Sequence, residues 1–201
     1  MKEESETEKR GVERFVRTAN QGSTAWIFFR TLFYAAIIWG LTLFLIPVLI
    51  VCVERWIDMP EFSFAGQLIV AVILFCVATS ISMPAAFTMA RIGRGTPLPM
   101  DCAPKLVVSG PYRYLRNPMA VGGLLQGFAV GLGWGSWSVL CYVLVGMVVW
   151  NYYVRPLEEA DLKQRFGDSY IGYCQQVRCW LPSLGYDPRQ ESFEPTSNHD
   201  Q

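Results

Sequence analysis

Histidine is nearly missing from this chain: the single one, His199, sits in a polar C-terminal stretch. That excludes a histidine-based metal site and a Ser-His-Asp triad. Charge is scarce as well. Only 17% of residues are Asp, Glu, Lys or Arg, against about 25% in a typical soluble domain, too few to face water everywhere. Lys plus Arg (17) equals Asp plus Glu (17), and without a basic excess nothing points to nucleic acid. No CxxC pair with metal-ligand spacing occurs. Of the six cysteines, Cys52, Cys76 and Cys141 lie in apolar runs, and with Cys102, Cys174 and Cys179 they read as free thiols. Residues 1–25 lack the short apolar core of a cleavable secretory signal.

What the chain has instead is long apolar runs. Trp26–Val53 and Phe62–Met89 each exceed the roughly 20 residues that a spanning helix needs; Pro47 is expected to kink the first, and Pro84 lies in the second. Met119–Gly133 is shorter and glycine-rich, and Trp137–Val154 is flanked by Trp137, Trp150, Tyr152 and Tyr153, residues suited to a membrane interface. The arm before Trp26 is basic, the 54–61 loop carries only Arg55, the 90–118 loop is basic, Gly133–Ser136 has no charge, and the segment after Val154 is basic again. This alternation predicts an all-α integral membrane bundle of about four spans, multi-pass, with both termini in the cytoplasm. Its organisation is read as a disordered cytoplasmic arm (1–25), a membrane domain (26–182) and a disordered tail (183–201).

Three constellations stand out. Glycines 123, 127, 131 and 135 line one ridge of the third run, a spacing that lets helix backbones approach closely. The 90–118 loop is stiffened by glycines and prolines and ends in Ser109-Gly110-Pro111-Tyr112-Arg113-Tyr114-Leu115-Arg116-Asn117-Pro118, where aromatic and guanidinium groups alternate. That pattern suits an interfacial anchor and equally an anionic ligand held by loop amides. Past the fourth run, Arg155 lies three and four residues before Glu158 and Glu159, so all three share a helix face; adjacent carboxylates repel, which favours a cationic ligand. Arg155–Phe166 reads as an amphipathic helix stopped by Gly167. Asp168 is placed to cap a further helix, Ser169–Val177, whose Tyr170, Tyr173 and Val177 form an apolar stripe for the membrane surface or the bundle.

In order and spacing, Leu106-Val107-Val108-Ser109-Gly110-Pro111-Tyr112, Arg116-Asn117-Pro118, Glu158-Glu159 with Leu162, and Phe166-Gly167 through Tyr170, Tyr173, Val177-Arg178 and Leu181-Pro182 resemble the isoprenylcysteine carboxyl methyltransferase and phospholipid methyltransferase superfamily of membrane enzymes. The resemblance covers roughly residues 90–182. It implies S-adenosyl-L-methionine as cofactor, held where the loop meets the C-terminal amphipathic helices, by Lys105, Leu106, Val107, Tyr112, Arg116, Asn117, Pro118 and Glu158. It further implies methyl transfer to a lipid or small hydrophobic acceptor (a carboxylate, amine or thiol), with Arg155 on the acceptor side and Glu159 as the nearby base if an amine is the acceptor. Two positions depart from the family pattern Arg-His-Pro-x-Tyr, which reads Arg116-Asn117-Pro118-Met119-Ala120 here. Asn117 keeps hydrogen-bonding capacity, whereas Ala120 leaves space where an aromatic ring would line the pocket. A binding or assembly protein on the same scaffold, without turnover, is the alternative.

Overall fold

The computed structural model describes residues 36–93 and 105–187, with Phe29, Phe33 and Tyr34 ahead of them. The expected 1–25 arm, the stretch holding Pro97, Pro99 and Cys102, and residues 188–201 lie outside the described residues. Every regular element described is helical. Helix α1 is Ala36–Trp56, α2 Gln67–Ile92, α3 Pro118–Trp134, α4 Trp137–Phe166 and α5 Asp168–Gln176; a 3₁₀ turn, Gly110–Arg113, precedes α3. Helices α1, α2 and α4 are long and apolar enough to cross a membrane. At 17 residues, α3 is only about 25 Å long, and it lies packed along α2 and α4.

The sequence reading broke the chain at Val154, where the structure does not. α4 runs unbroken for 30 residues, about 45 Å, against roughly 30 Å of hydrocarbon. Its apolar part, Trp137–Val154, is long enough to fill that thickness, and the charged part, Arg155–Phe166, continues the helix past it. Pro156 interrupts nothing because the turn before it, Trp150–Val154, is wound as a π-helix. The same winding precedes Pro47, where Gly40–Leu45 is π-wound.

Small residues set the helix spacing. Ala71, Ala78, Ser82, Ala85 and Ala90 are the buried residues of α2. Gly122 of α3 comes so close that an added Cβ would lie 2.6 Å from Ser82 Cβ. Three of the four expected ridge glycines do what their spacing predicts, Gly123 facing Trp39, Gly127 Val143 and Leu43, and Gly131 Leu140, while Gly135 lies past the end of the helix. α3 and α4 are joined by Gly135, in the left-handed region at φ 65°, and by Ser136, whose Oγ accepts from Val139 N–H at 3.0 Å. This joint meets the α1–α2 loop: Phe62 N–H donates to Gly135 O at 2.9 Å, and the Phe62 carbonyl leaves no room for a side chain at Gly135. That end of the bundle is called the far end below, and the end built from 105–117 and 155–187 the site end.

At the site end, α5 begins one residue earlier than its sequence suggested. Gly167, at φ 53°, takes the cap position, and Asp168 sits in the first turn. The stripe of Tyr170, Tyr173 and Val177 is buried, together with Tyr186, against Leu106, Val108, Leu162 and Phe166. Its cover is thus the loop and the chain's own C-terminal segment. Ser183–Asp187, expected as the start of a tail, folds back instead. Ser183 N–H donates to Tyr114 O at 2.8 Å, Tyr186 N–H to Arg113 O at 2.9 Å, and Arg116 N–H to Arg178 O at 3.0 Å.

Candidate functional site

The site end is assembled from three segments distant in sequence. Residues 105–108 run extended between two clusters: Leu106 and Val108 pack on the tyrosines of α5, while Val107 faces Ala85 and Tyr112. The 3₁₀ turn then brings Gly110 against the end of α2, where an added Cβ would meet Thr88 Oγ1 at 2.7 Å. Tyr173 OH donates to Tyr112 O at 2.6 Å and locks α5 to that turn. Pro118, fully buried, opens α3, where its missing N–H costs nothing. Arg116 and Asn117, just before it, are thereby aimed at α4.

Four charged side chains meet there. Arg116 Nη1 and Arg155 Nε both donate to Glu159 Oε1, each at 3.0 Å. Arg116 Nη1 also lies 3.0 Å from Cys174 Sγ, and Arg155 Nη1 donates to Asn151 Oδ1 at 2.9 Å. Glu158, half-buried, receives Asn117 Nδ2 at 3.4 Å and no guanidinium among the described residues. Burial pushes the Glu158 carboxyl up to about 7; the Asn117 hydrogen bond pulls the other way, while Glu159 and Asp161 push it further up. Burial, and then the Glu158 carboxylate, raise the Tyr112 phenol. Burial likewise raises Tyr173, with Tyr112 and Tyr170 adding to it. All three groups lie beyond the apolar part of α4.

At or near this end, the buried Ser109 Oγ, Arg116 Nε and Trp150 Nε1 have no hydrogen-bond partner among the described residues. Buried polar groups are rarely left so in folded proteins. With Glu158 they make a place where a polar, cationic ligand has partners to find.

The family model for phospholipid methyltransferase matches residues 66–169, just over half of the chain. The chain belongs to the phospholipid methyltransferase family. Within the matched span lie all four described helices or parts of helices from α2 to α5, and every residue of the Arg116–Asn117–Glu158–Glu159 cluster. Curated relatives include protein-S-isoprenylcysteine O-methyltransferase B of Arabidopsis thaliana, 34% identical over 80 residues, or 39% of this chain and 40% of the relative. The probable protein-S-isoprenylcysteine O-methyltransferase of Oryza sativa subsp. japonica is 35% identical over 82 residues, 40% of this chain and 42% of the relative. The protein-S-isoprenylcysteine O-methyltransferase of Schizosaccharomyces pombe is 32% identical over 81 residues, 39% and 34% of the two chains. The match thus spans about two fifths or less of these relatives' length. No solved structure matches the chain.

Of the residues that the phospholipid methyltransferase resemblance singled out, the structure brings Tyr112, Arg116, Asn117, Arg155, Glu158 and Glu159 together. Leu106, Val107 and Pro118 pack beneath them, and Lys105 is exposed. Two residues of the cluster escaped sequence reasoning. Asn151 Oδ1 accepts from both Arg155 and Trp180 Nε1, the latter at 3.0 Å. Its signal was a lone amide in an aromatic run at the end of a span, where a polar residue calls for a partner. Cys174, read only as a free thiol, lies against Arg116, a contact that no local spacing reveals.

Proposed function

We propose that the chain is an S-adenosyl-L-methionine-dependent methyltransferase acting on a lipidic or membrane-partitioned small acceptor, with its site end and both termini in the cytoplasm. The observation that carries this reading is Glu158. It is a half-buried carboxylate whose one hydrogen bond among the described residues is the long one from Asn117, in a chain of a methyltransferase family. When bound, the cofactor supplies a methyl group activated on a sulfonium. Glu158 would hold its cationic end by a charge-assisted contact, helped by the hydrogen-bonding amide of Asn117. Ser109, Arg116 and the backbone around Lys105, Leu106, Val107, Tyr112 and Pro118 would hold its anionic and polar parts. In-line displacement needs mainly alignment of donor and acceptor, and the locking of α5 to the 3₁₀ turn serves that.

The state of Glu159 bears on the acceptor. A carboxylate or thiolate needs no base, whereas a protonated amine does. Glu159 was the expected base, but it is engaged by two guanidiniums. An anionic acceptor, steered by Arg155 on its outer side, is therefore the better fit, and the relatives' names, as isoprenylcysteine O-methyltransferases, agree with it. Incubating membranes that contain the protein with methyl-labelled S-adenosyl-L-methionine, then fractionating lipid and protein extracts, tests the reading. Label in a lipidated or lipid fraction is expected. Binding of the cofactor by calorimetry with no labelled product would mark a non-catalytic binding protein instead, and no binding at all would overturn the reading.

A further inference from the structure

Glu158 and Glu159 are neighbours on α4, yet they stand in different electrostatic settings. Two guanidiniums are within reach of the pair, and both go to one oxygen of Glu159. Sequence spacing does not dictate this. Arg155 is as well placed for Glu158, at i+3, as for Glu159, at i+4, and Arg116 adjoins the very residue, Asn117, that touches Glu158. The partition is set by second anchors: Cys174 Sγ on Arg116, and Asn151 Oδ1, shared with Trp180, on Arg155.

We infer that Glu159 is a positioning residue that holds Arg116 and Arg155 away from Glu158, and so keeps that carboxylate free for a cationic ligand. Were Glu159 uncharged, the nearest anion for either arginine would be Glu158, and an internal ion pair would fill the place of the cation. The groups that bear on Glu158 are Arg155, Glu159 and Asp161 on its own helix, Tyr112 in the 3₁₀ turn, Asn117 and Arg116 before α3, and the buried thiol of Cys179 after α5, with Cys174 of α5 behind Arg116. The inference rests on the methyltransferase reading for the identity of the ligand, but not for the division of charges.

The test uses the full chain in nanodiscs. Infrared titration follows the protonated-carboxyl band that disappears in Glu158→Gln, in the wild type, Glu159→Gln, and the pairs Glu159→Gln/Arg155→Met and Glu159→Gln/Arg116→Met. In Glu159→Gln the Glu158 midpoint should fall by about one unit or more as a guanidinium swings over, and it should climb back in at least one pair. Loss of Glu159's own repulsion also lowers the midpoint, and removing a nearby arginine raises it in any background; the rise in a pair should therefore exceed that in the matching single variant, Arg155→Met or Arg116→Met. Calorimetry with S-adenosyl-L-methionine should show affinity lost about tenfold or more in Glu159→Gln and regained in Glu159→Gln/Arg155→Met, the pair that keeps Arg116. Glu159→Asp, which keeps the charge but withdraws it, should shift both readouts partway, and it serves if the Gln variant fails to fold. An unmoved midpoint, or no recovery in either pair, overturns the inference. The infrared shifts as described, with no cofactor binding even by the wild type, would sink the methyltransferase reading and leave the division of charges standing.

Discussion

At the far end of the bundle, Glu54 is buried and gives Oε1 to Ser138 N–H at 2.9 Å, at the start of α4. Arg55 pairs with Glu61 at 2.9 Å and lies 5.6 Å from the Trp134 ring centroid. Gln67 donates to Leu132 O at 2.7 Å and accepts from Phe64 N–H at 3.1 Å. Apart from the second oxygen of Glu54, the polar groups there are spent on closing the joint between loop and helices. At the site end the same residue types are left partly uncommitted: a carboxylate beside two arginines that go elsewhere, and a hydroxyl, a guanidinium nitrogen and an indole N–H without partners among the described residues. A satisfied polar network rigidifies, whereas an unsatisfied one costs stability, and a protein carries that cost where a ligand later meets it. The two ends differ in what their polar groups are for.

Substitutions at each end should therefore fail in different ways. The largest effect is expected at Gly135→Val. A β-branched residue would have to adopt φ 65° against the Phe62 carbonyl, costing about 3 kcal/mol or more; thermal unfolding should show a destabilised or unrecoverable protein. Next comes Glu158→Gln. It should weaken S-adenosyl-L-methionine binding about ten- to a hundredfold, the worth of a charge-assisted hydrogen bond, while leaving the melting temperature of the ligand-free protein level or higher. A lower melting temperature with unchanged affinity would mean that the two ends do not differ. The pH dependence sharpens this. A carboxyl raised from 4.5 to about 7 binds its proton more tightly folded than unfolded, so its contribution to ligand-free stability is lost as pH rises from about 4.5 through 7. Cofactor affinity, which needs the carboxylate, should rise about tenfold from pH 6 to 8, and Glu158→Gln should flatten that profile. Glu54→Ala should cost about 1 kcal/mol by uncapping α4, read as a lower melting temperature at unchanged cofactor affinity. Smallest of all, Asn117→His should change affinity by no more than about threefold, since either side chain can donate to Glu158.

The sequence made the apolar runs legible because membrane spans need length and apolarity, both local properties. The glycine ridge, the stop at Gly167 and the stripe of Tyr170, Tyr173 and Val177 were readable for the same reason. What covers that stripe was not: Tyr186, Leu106 and Val108 reach it by tertiary folding, and the polar look of Ser183–Asp187 hid its backbone pairing with 113–116. The continuity of α4 was missed because Pro156 and a change in composition look like a boundary, and π-winding leaves no plain mark in composition. The site cluster was half legible. Spacing put Arg155 within reach of both acids, but Arg116 and Cys174, which help decide between them, enter from other parts of the chain, and Asn151, one turn before Arg155, showed only as a lone amide in an aromatic run.

The unbroken length of α4 makes it a lever. Glu158 stands 22 residues beyond the Ser136 joint, about 33 Å along a stiff rod, so a tilt of about 5° about that joint carries its carboxylate sideways by about 3 Å. A helix in a thinner or thicker bilayer answers mainly by tilting. Arg116 and Asn117 lead into α3 and do not ride on that rod. Any tilt of α4 relative to α3 would thereby open or close the gap between Asn117 and Glu158, a small rotation at one end read out as a distance at the other.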